Sequence, residues 1–342
     1  MSPDTLAQRK ARWCAHLDGQ PGHLFTINFT PDAPAWVWPW PSLRRERLNS
    51  AWEQYAHQRE RMDWLRDDTI PHLALHTGTE IFAEAFGCRV VRPEDNMPFA
   101  LPLITDASEV AGVRVPELSA SSLAYLFDMM DELRQRAGDD AVMKLVDIQS
   151  PMDIAALIWD KNDFYPAMLE APEAVHELAA KVAQFQVTFL DEWFARYGRE
   201  LVAHYPTYYL PFGLTLSEDE VGVVNTAMFV EFFLPELEAL SQRYGALGMH
   251  CCADAVHQWD NFLRIPNLRV LNFVQPEEVV RSAFRYFAGN VVQMHCWSGD
   301  GPCETWPAQY PAGSRFIIEA SAATREEALA LSEQLWTACG RT

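Results

Sequence analysis

Apolar residues gather in eight short runs along the chain, at positions 24–29, 72–76, 142–148, 201–204, 247–251, 268–273, 291–296 and 316–319. Each run reads as a β-strand. Between them the period lengthens. After Pro172, the residues Val175, Leu178, Val182, Phe185 and Phe189 recur at three- and four-residue steps, which makes one buried helical face ending at Gly198. Thr324 stands three residues before Glu327, the spacing of a capping box that opens the last helix. Eight strands alternating with helices predict an α/β protein, a single parallel (β/α)8 TIM barrel over residues 1–342. Residues 1–70 would supply an N-terminal extension, the first strand and a Trp-rich loop. A doubly wound open sheet would need a Gly-rich phosphate loop after the first strand, and Asn28-Phe29-Thr30-Pro31-Asp32 stands there instead.

A barrel gathers the C-terminal ends of its strands on one rim, where active sites form. His250 and Cys252 leave one strand end two residues apart and therefore on one face, as a pair of soft ligands suited to zinc. Cys296 and Glu319 end later runs and are candidates to close the site, Cys296 first and Glu319 next. Asp147 and Gln149 end the third run, and Tyr205, Tyr208 and Tyr209 follow the fourth, all placed to face a ligand pocket. Trp36, Trp38 and Trp40 alternate across a proline-rich loop from Pro34 to Pro41. They suit an aromatic wall that holds a methylammonium group by cation–π attraction or a ring by stacking. Core packing or a subunit contact in a homodimer explains them about as well.

Charge narrows the partners. The 27 basic and 47 acidic side chains leave a net charge of −20, and no Lys/Arg-rich block occurs, which argues against a phosphate-tracking nucleic-acid surface and against anionic membranes. No apolar stretch is long enough to span a bilayer, and positions 2–12, from Ser2 to Arg12, lack the apolar segment of a signal peptide, so a cytoplasmic location is expected. Seven unevenly spaced cysteines do not form a disulfide framework. Four of them fall between positions 251 and 303, where ligand chemistry is the better reading.

Several segments together resemble the uroporphyrinogen decarboxylase superfamily, which includes cobalamin-linked methyltransferases. Residues 163–173, Asp-Phe-Tyr-Pro-Ala-Met-Leu-Glu-Ala-Pro-Glu, look like the family's segment leading into a helix. Ser217-Glu218-Asp219-Glu220, with the stretch 229–235 after it, resembles the family's acidic loop and following helix. His250-Cys251-Cys252-Ala253-Asp254 resembles its H-x-C-G-N element, and residues 80–88 are like an N-terminal segment of the methyltransferase branch. The resemblance spans roughly residues 70 to 340 and implies a (β/α)8 barrel. The decarboxylase proper carries an arginine-bearing segment after its first strand that holds substrate carboxylates. Thr26-Ile27-Asn28-Phe29-Thr30-Pro31-Asp32 has no arginine, which removes the physical basis for capturing a multiply anionic ligand there.

The methyltransferase branch therefore fits better, and it implies one zinc per chain at the H-x-C pair, activating a thiol acceptor. Its second cysteine, near the end of the last strand, is replaced here by Ile318-Glu319-Ala320-Ser321, so that Cys296 or Glu319 would substitute. The expected catalytic residues are Asp147, Glu218 and Tyr208, with Trp36, Trp38, Asn28, Tyr205 and Gln149 binding substrate. The implied reaction moves a methyl group between a small substrate or methyl-corrinoid protein and a thiol or other acceptor. No Asp-x-His-x-x-Gly motif occurs, so a corrinoid would arrive on a partner protein. The competing readings are decarboxylation of a cyclic substrate and a non-catalytic barrel that binds a small molecule.

Overall fold

A computed structural model describes residues 4–33 and 35–341. Ser2 and Pro34, which the readings of the N-terminus and of the Trp-rich loop include, lie outside the described residues. In chain order the strands are β1 Leu24–Phe29, β2 His72–Leu73, β3 Val90–Val91, β4 Phe99–Ala100, β5 Val142–Lys144, β6 Leu201–Val202, β7 Tyr209–Leu210, β8 Leu214–Ser217, β9 Leu247–Cys251, β10 Leu268–Phe273, β11 Val292–Gln293 and β12 Arg315–Ala322. One sheet runs β1-β12-β11-β10-β9-β8, every neighbouring pair parallel. A second places β5 between β2 and β6, again in parallel. A parallel bridge between Gln149 and Ser217 joins β8 to the segment following β5. The backbone bonds Ser217 N to Ile148 O (2.9 Å) and Ser150 N to Ser217 O (2.8 Å) complete that junction. The order β2-β5-β8-β9-β10-β11-β12-β1 is the succession of parallel strands of a TIM barrel.

All eight runs read from the sequence contain a strand, though β2, β5, β6 and β11 keep only two or three residues of ladder. The run at 201–204 departs from expectation. β6 folds back on β7 as an antiparallel pair, and β8, which its run of four residues did not announce, takes the place beside β9. The physical reason is filling of the interior. Leu201, Val202, Tyr208 and Leu210 form one buried cluster with Leu24, Val142, Val270, Val292 and Ile317, contributed by five of the parallel strands. Gly248 is part of this fit, since a Cβ there would lie 1.9 Å from the Tyr208 hydroxyl.

Between β1 and β2 no strand ladder forms among the described residues. The free amides of β1 are satisfied by carboxylates instead: Phe25 N donates to Asp68 (2.9 Å) and Ile27 N to Asp67 (3.0 Å). Arg9 pairs with Asp67 at 2.5 Å, while Arg12 and Arg341 reach Asp68 at 2.7 and 2.6 Å, so these buried acids are neutralised where they stand. The helix Pro172–Tyr197 buries the five residues of its predicted apolar face, and Thr324 caps the helix Arg325–Ala338 by accepting from Glu327 N at 3.1 Å. All seven cysteines are free thiols. Among the described residues no helix is long and apolar enough to cross a membrane.

Candidate metal centre and barrel mouth

Alternation along β9 decides which side chains reach the interior. Met249 and Cys251 point into the main core, which leaves Gly248, His250 and Cys252 facing inward. On β8, Thr215 and Ser217 also face inward, where their hydroxyls meet the two ring nitrogens of His204 at 3.3 and 3.0 Å. The same parity delivers Asp219 to the rim. Asp219, His250 and Cys252 present ligand atoms that all lie within 4.8 Å of one another.

Neighbouring groups fix each of the three. Asp219 accepts from the Cys252 backbone N–H at 2.6 Å. Its own N–H and that of Glu220 donate to the Asp153 carboxylate at 2.8 and 3.0 Å, which clamps the turn. The Asn272 amide donates its N–H to the Met294 carbonyl, a group that can only accept. The Asn272 oxygen therefore faces His250 Nδ1, 2.5 Å away, and accepts a hydrogen bond from its N–H. The opposite nitrogen, Nε2, is left with its lone pair, the tautomer a metal ligand needs. Tyr205 packs edge-on against the His250 ring at 4.8 Å. Burial, then the adjoining Asp219 carboxylate, push the Cys252 thiol up to about 12, so its proton stays on unless a cation displaces it.

Glu218, an expected catalytic residue, has the opposite strand parity. It is fully buried against Asp153, and burial followed by that neighbouring charge raises its pKa well above the usual carboxylate range. It stands behind the cluster, and Asp219 stands in it. Cys296 and Glu319, the two expected closing ligands, do not join the three-residue cluster. They gather around Tyr205 instead, and both border a cavity of about 440 Å3 with Asn28 and Asn272. Cys296 Sγ donates to the Gln275 carbonyl at 3.3 Å, and Glu319 accepts a hydrogen bond from Asn28.

A second cavity, of about 430 Å3, is walled by Trp36, His76, Lys144, Asp147, His204 and Tyr205 among others. A third, of about 240 Å3, reaches the gap between β1 and β2 and touches Asn28, Lys144, Tyr208 and Glu319. Shared walls at Asn28, Lys144, Tyr205 and Glu319 set the three side by side at the barrel mouth. Asp147 Oδ1 has no hydrogen-bond partner there and lies 3.7 Å from His204 Nε2. Burial and the Asp219 charge lift Asp147 to about 7, with Lys144 opposing, while burial, His250 and Lys144 hold His204 neutral at about 3.

The remaining candidates divide. Tyr208 is a buried wall of the mouth, and burial drives its hydroxyl far above the usual phenol range. Gln149 serves the strand junction, its carbonyl accepting from Gln186 at 2.6 Å, and it does not border the three cavities. Trp36 stands over the 430 Å3 cavity, 59% exposed. Trp38 braces it edge-on at 5.5 Å and stacks on Trp40 at 6.0 Å. Asp219 is the member that sequence reasoning passed over. The usable signal was strand parity, since Thr215, Ser217 and Asp219 alternate with Leu214, Leu216 and Glu218.

Residues 73–292, more than half of the chain, match the family model described as uroporphyrinogen decarboxylase (URO-D). A solved structure of a methyltransferase from Methanosarcina mazei is similar over 98% of both chains, with a TM-score of 0.65 at 11% sequence identity, a likeness of fold. No curated protein sequence matches.

Proposed function

The chain belongs to the uroporphyrinogen decarboxylase family, and on that premise we propose that it is a zinc-dependent methyltransferase whose metal is held by Asp219, His250 and Cys252. The observation that carries this reading is the convergence of a carboxylate, an imidazole and a thiol within 4.8 Å. Oxygen, nitrogen and sulfur donors of this kind suit zinc, and three protein ligands leave a fourth position open, the pattern of a catalytic site. Asp219 takes the role that the resemblance gives to a last-strand cysteine, ahead of Cys296 and Glu319.

Zinc, when bound, lowers the pKa of a coordinated thiol or other acceptor and so supplies a nucleophile at neutral pH. The protein's own groups do the rest. Asn272 keeps His250 in one tautomer, and Asp153 keeps Asp219 in place. Tyr205 covers the His250 ring and limits water. Asp147 Oδ1, unbonded and carried by a group with a pKa near 7, is placed to take a proton from the incoming acceptor. The methyl donor is a small substrate or a methyl-corrinoid protein.

Decarboxylation of a polycarboxylated tetrapyrrole has less support, because the segment after β1, residues 26–32, holds no arginine for several substrate carboxylates. The test uses methylcobalamin as donor and 2-mercaptoethanol as acceptor, with uroporphyrinogen in parallel. Methyl transfer that is lost on chelation and restored by zinc, with no loss of carboxylates from the porphyrinogen, is the expected result. Stepwise porphyrinogen decarboxylation, or transfer that survives metal removal, would overturn the reading.

A further inference from the structure

The cavity of about 430 Å3 beneath Trp36 is lined by two cations, Arg47 and Lys144, that form no ion pair among the described residues, although the Glu319 and Asp147 charges act on Lys144 from farther off. Arg47, on the helix Arg44–Arg61, is 4% exposed. Its Nη2 donates to the His76 carbonyl at 2.9 Å, its Nη1 reaches only the Tyr125 hydroxyl at 3.5 Å, and its Nε has no partner. Lys144 Nζ donates to Thr207 Oγ1 at 2.9 Å. Among the described residues neither cation has a carboxylate oxygen within 4.0 Å. This is unusual within the same molecule, where the buried Arg9 is paired with Asp67 and where Arg12 and Arg341 share Asp68. An unpaired buried guanidinium is costly, and a chain with 47 acidic side chains has ample means to neutralise one.

Both cations act on one place. His76 lines the same cavity, and after burial the two influences holding it down at about 4 are Lys144 and Arg47. His76 is therefore neutral and adds no charge of its own beside the two cations. Around this point the wall is apolar, with Val37, Ala51, Ala74 and Leu75, and Trp36 lies against the His76 ring at 4.7 Å. Tyr205 borders this cavity and packs on the His250 ring.

We propose that this cavity binds a small aromatic monocarboxylate, its carboxylate held by Arg47 and Lys144 and its ring lying under Trp36 with the far edge toward Tyr205. Asp147, on the same wall, disfavours a second negative charge. The missing arginine of the segment after β1 is thus supplied from the helix that follows. The proposal names the substrate class of the methyltransferase reading and rests on that reading for the reaction, but binding itself requires no metal.

The experiment is calorimetric titration of the metal-free protein with benzoate and with its neutral isostere benzamide. Benzoate binds the wild type about tenfold or more tightly than benzamide, as charge-assisted bonds require. Arg47→Gln and Lys144→Gln each bring benzoate down to the benzamide level and leave benzamide unchanged. Trp36→Ala, at an exposed position, weakens both ligands alike. Should Arg47→Gln fail to fold, Lys144→Gln carries the test. Benzoate binding no tighter than benzamide, or with undiminished affinity in Lys144→Gln, would overturn the proposal and leave the metal site standing. Loss of the metal reading would leave these affinities as they are.

Discussion

His250 has one ring nitrogen already committed by the fold, and the account at residue scale turns on that commitment. Asn272 accepts from Nδ1 and is itself locked by the Met294 carbonyl, so Nε2 is presented in one orientation. Asn272→Leu removes the acceptor and lets the ring rotate. Zinc affinity should fall about 10- to 100-fold, the usual cost of losing such a supporting bond, as read by competition with a chromophoric chelator. An unchanged affinity would remove Asn272 from the site. His250 and Cys252 were legible in the sequence because two residues along a strand share a face. Asp219 was not, because three acids stand in a row and only the parity of a short strand chooses among them. Cys296 and Glu319 were legible as rim residues, but sequence spacing does not tell which rim positions approach His250 and which gather around Tyr205.

At the scale of elements, the β6–β7 pair explains both what the sequence revealed and what it hid. The run at 201–204 is apolar, and its residues are buried as such residues require, but they fill the interior with Tyr208 and Leu210. β8 escaped notice because its four residues, between Gly213 and the acidic turn, are shorter than a periodicity can establish. Helices with a long apolar face, such as Pro172–Tyr197, were legible to within two residues. The packing of Tyr208 on Gly248 makes a direct test. In Gly248→Ala the new methyl occupies the space of the Tyr208 hydroxyl, 1.9 Å away, and meets Tyr208 Cζ at 2.9 Å. A loss of about 1–3 kcal/mol in unfolding free energy is expected, typical of overpacking. Adding Tyr208→Phe should recover part of it, since only the hydroxyl contact is then relieved. A fully stable Gly248→Ala would mean that the hairpin does not pack as described.

At the scale of the whole molecule, parallel strands alternating with helices were enough to read the architecture, whereas the gap between β1 and β2 was not, because Asp67 and Asp68 look like ordinary surface acids until their arginines are in place. Two sets of buried groups set the pH response. His16, His72, His204 and His295 are held neutral by burial at about 3, and His23 and His76 at about 4. Their folded values lie below the unfolded value of about 6.5, so the stability they support is lost as pH falls below that value. Glu80 and Asp147, raised by burial to about 7, and Glu236, raised to about 8, act in reverse. Their folded values lie above the unfolded carboxylate value of about 4, so they add stability as pH falls from 8 toward 4. The two sets oppose one another at mildly acidic pH. The urea midpoint should therefore show a broad maximum between about pH 6 and 7, decline gently from there to about pH 8 where these acids are ionised in both states, and fall steeply below about pH 4.5. A midpoint rising steadily from pH 6 to 9 would contradict the buried protonated acids.

The central claim, that Asp219, His250 and Cys252 hold one zinc ion, is tested most directly by X-ray absorption at the zinc edge, with metal content measured on the same zinc-loaded protein. The account predicts about one zinc per chain, a single sulfur neighbour at about 2.3 Å with nitrogen and oxygen neighbours near 2.0 Å, and loss of the metal in Cys252→Ala but not in Cys339→Ala. Two sulfur neighbours would bring Cys296 into the site in place of Asp219. A zinc-free protein after loading, or a wild-type metal content in Cys252→Ala, would contradict the claim outright.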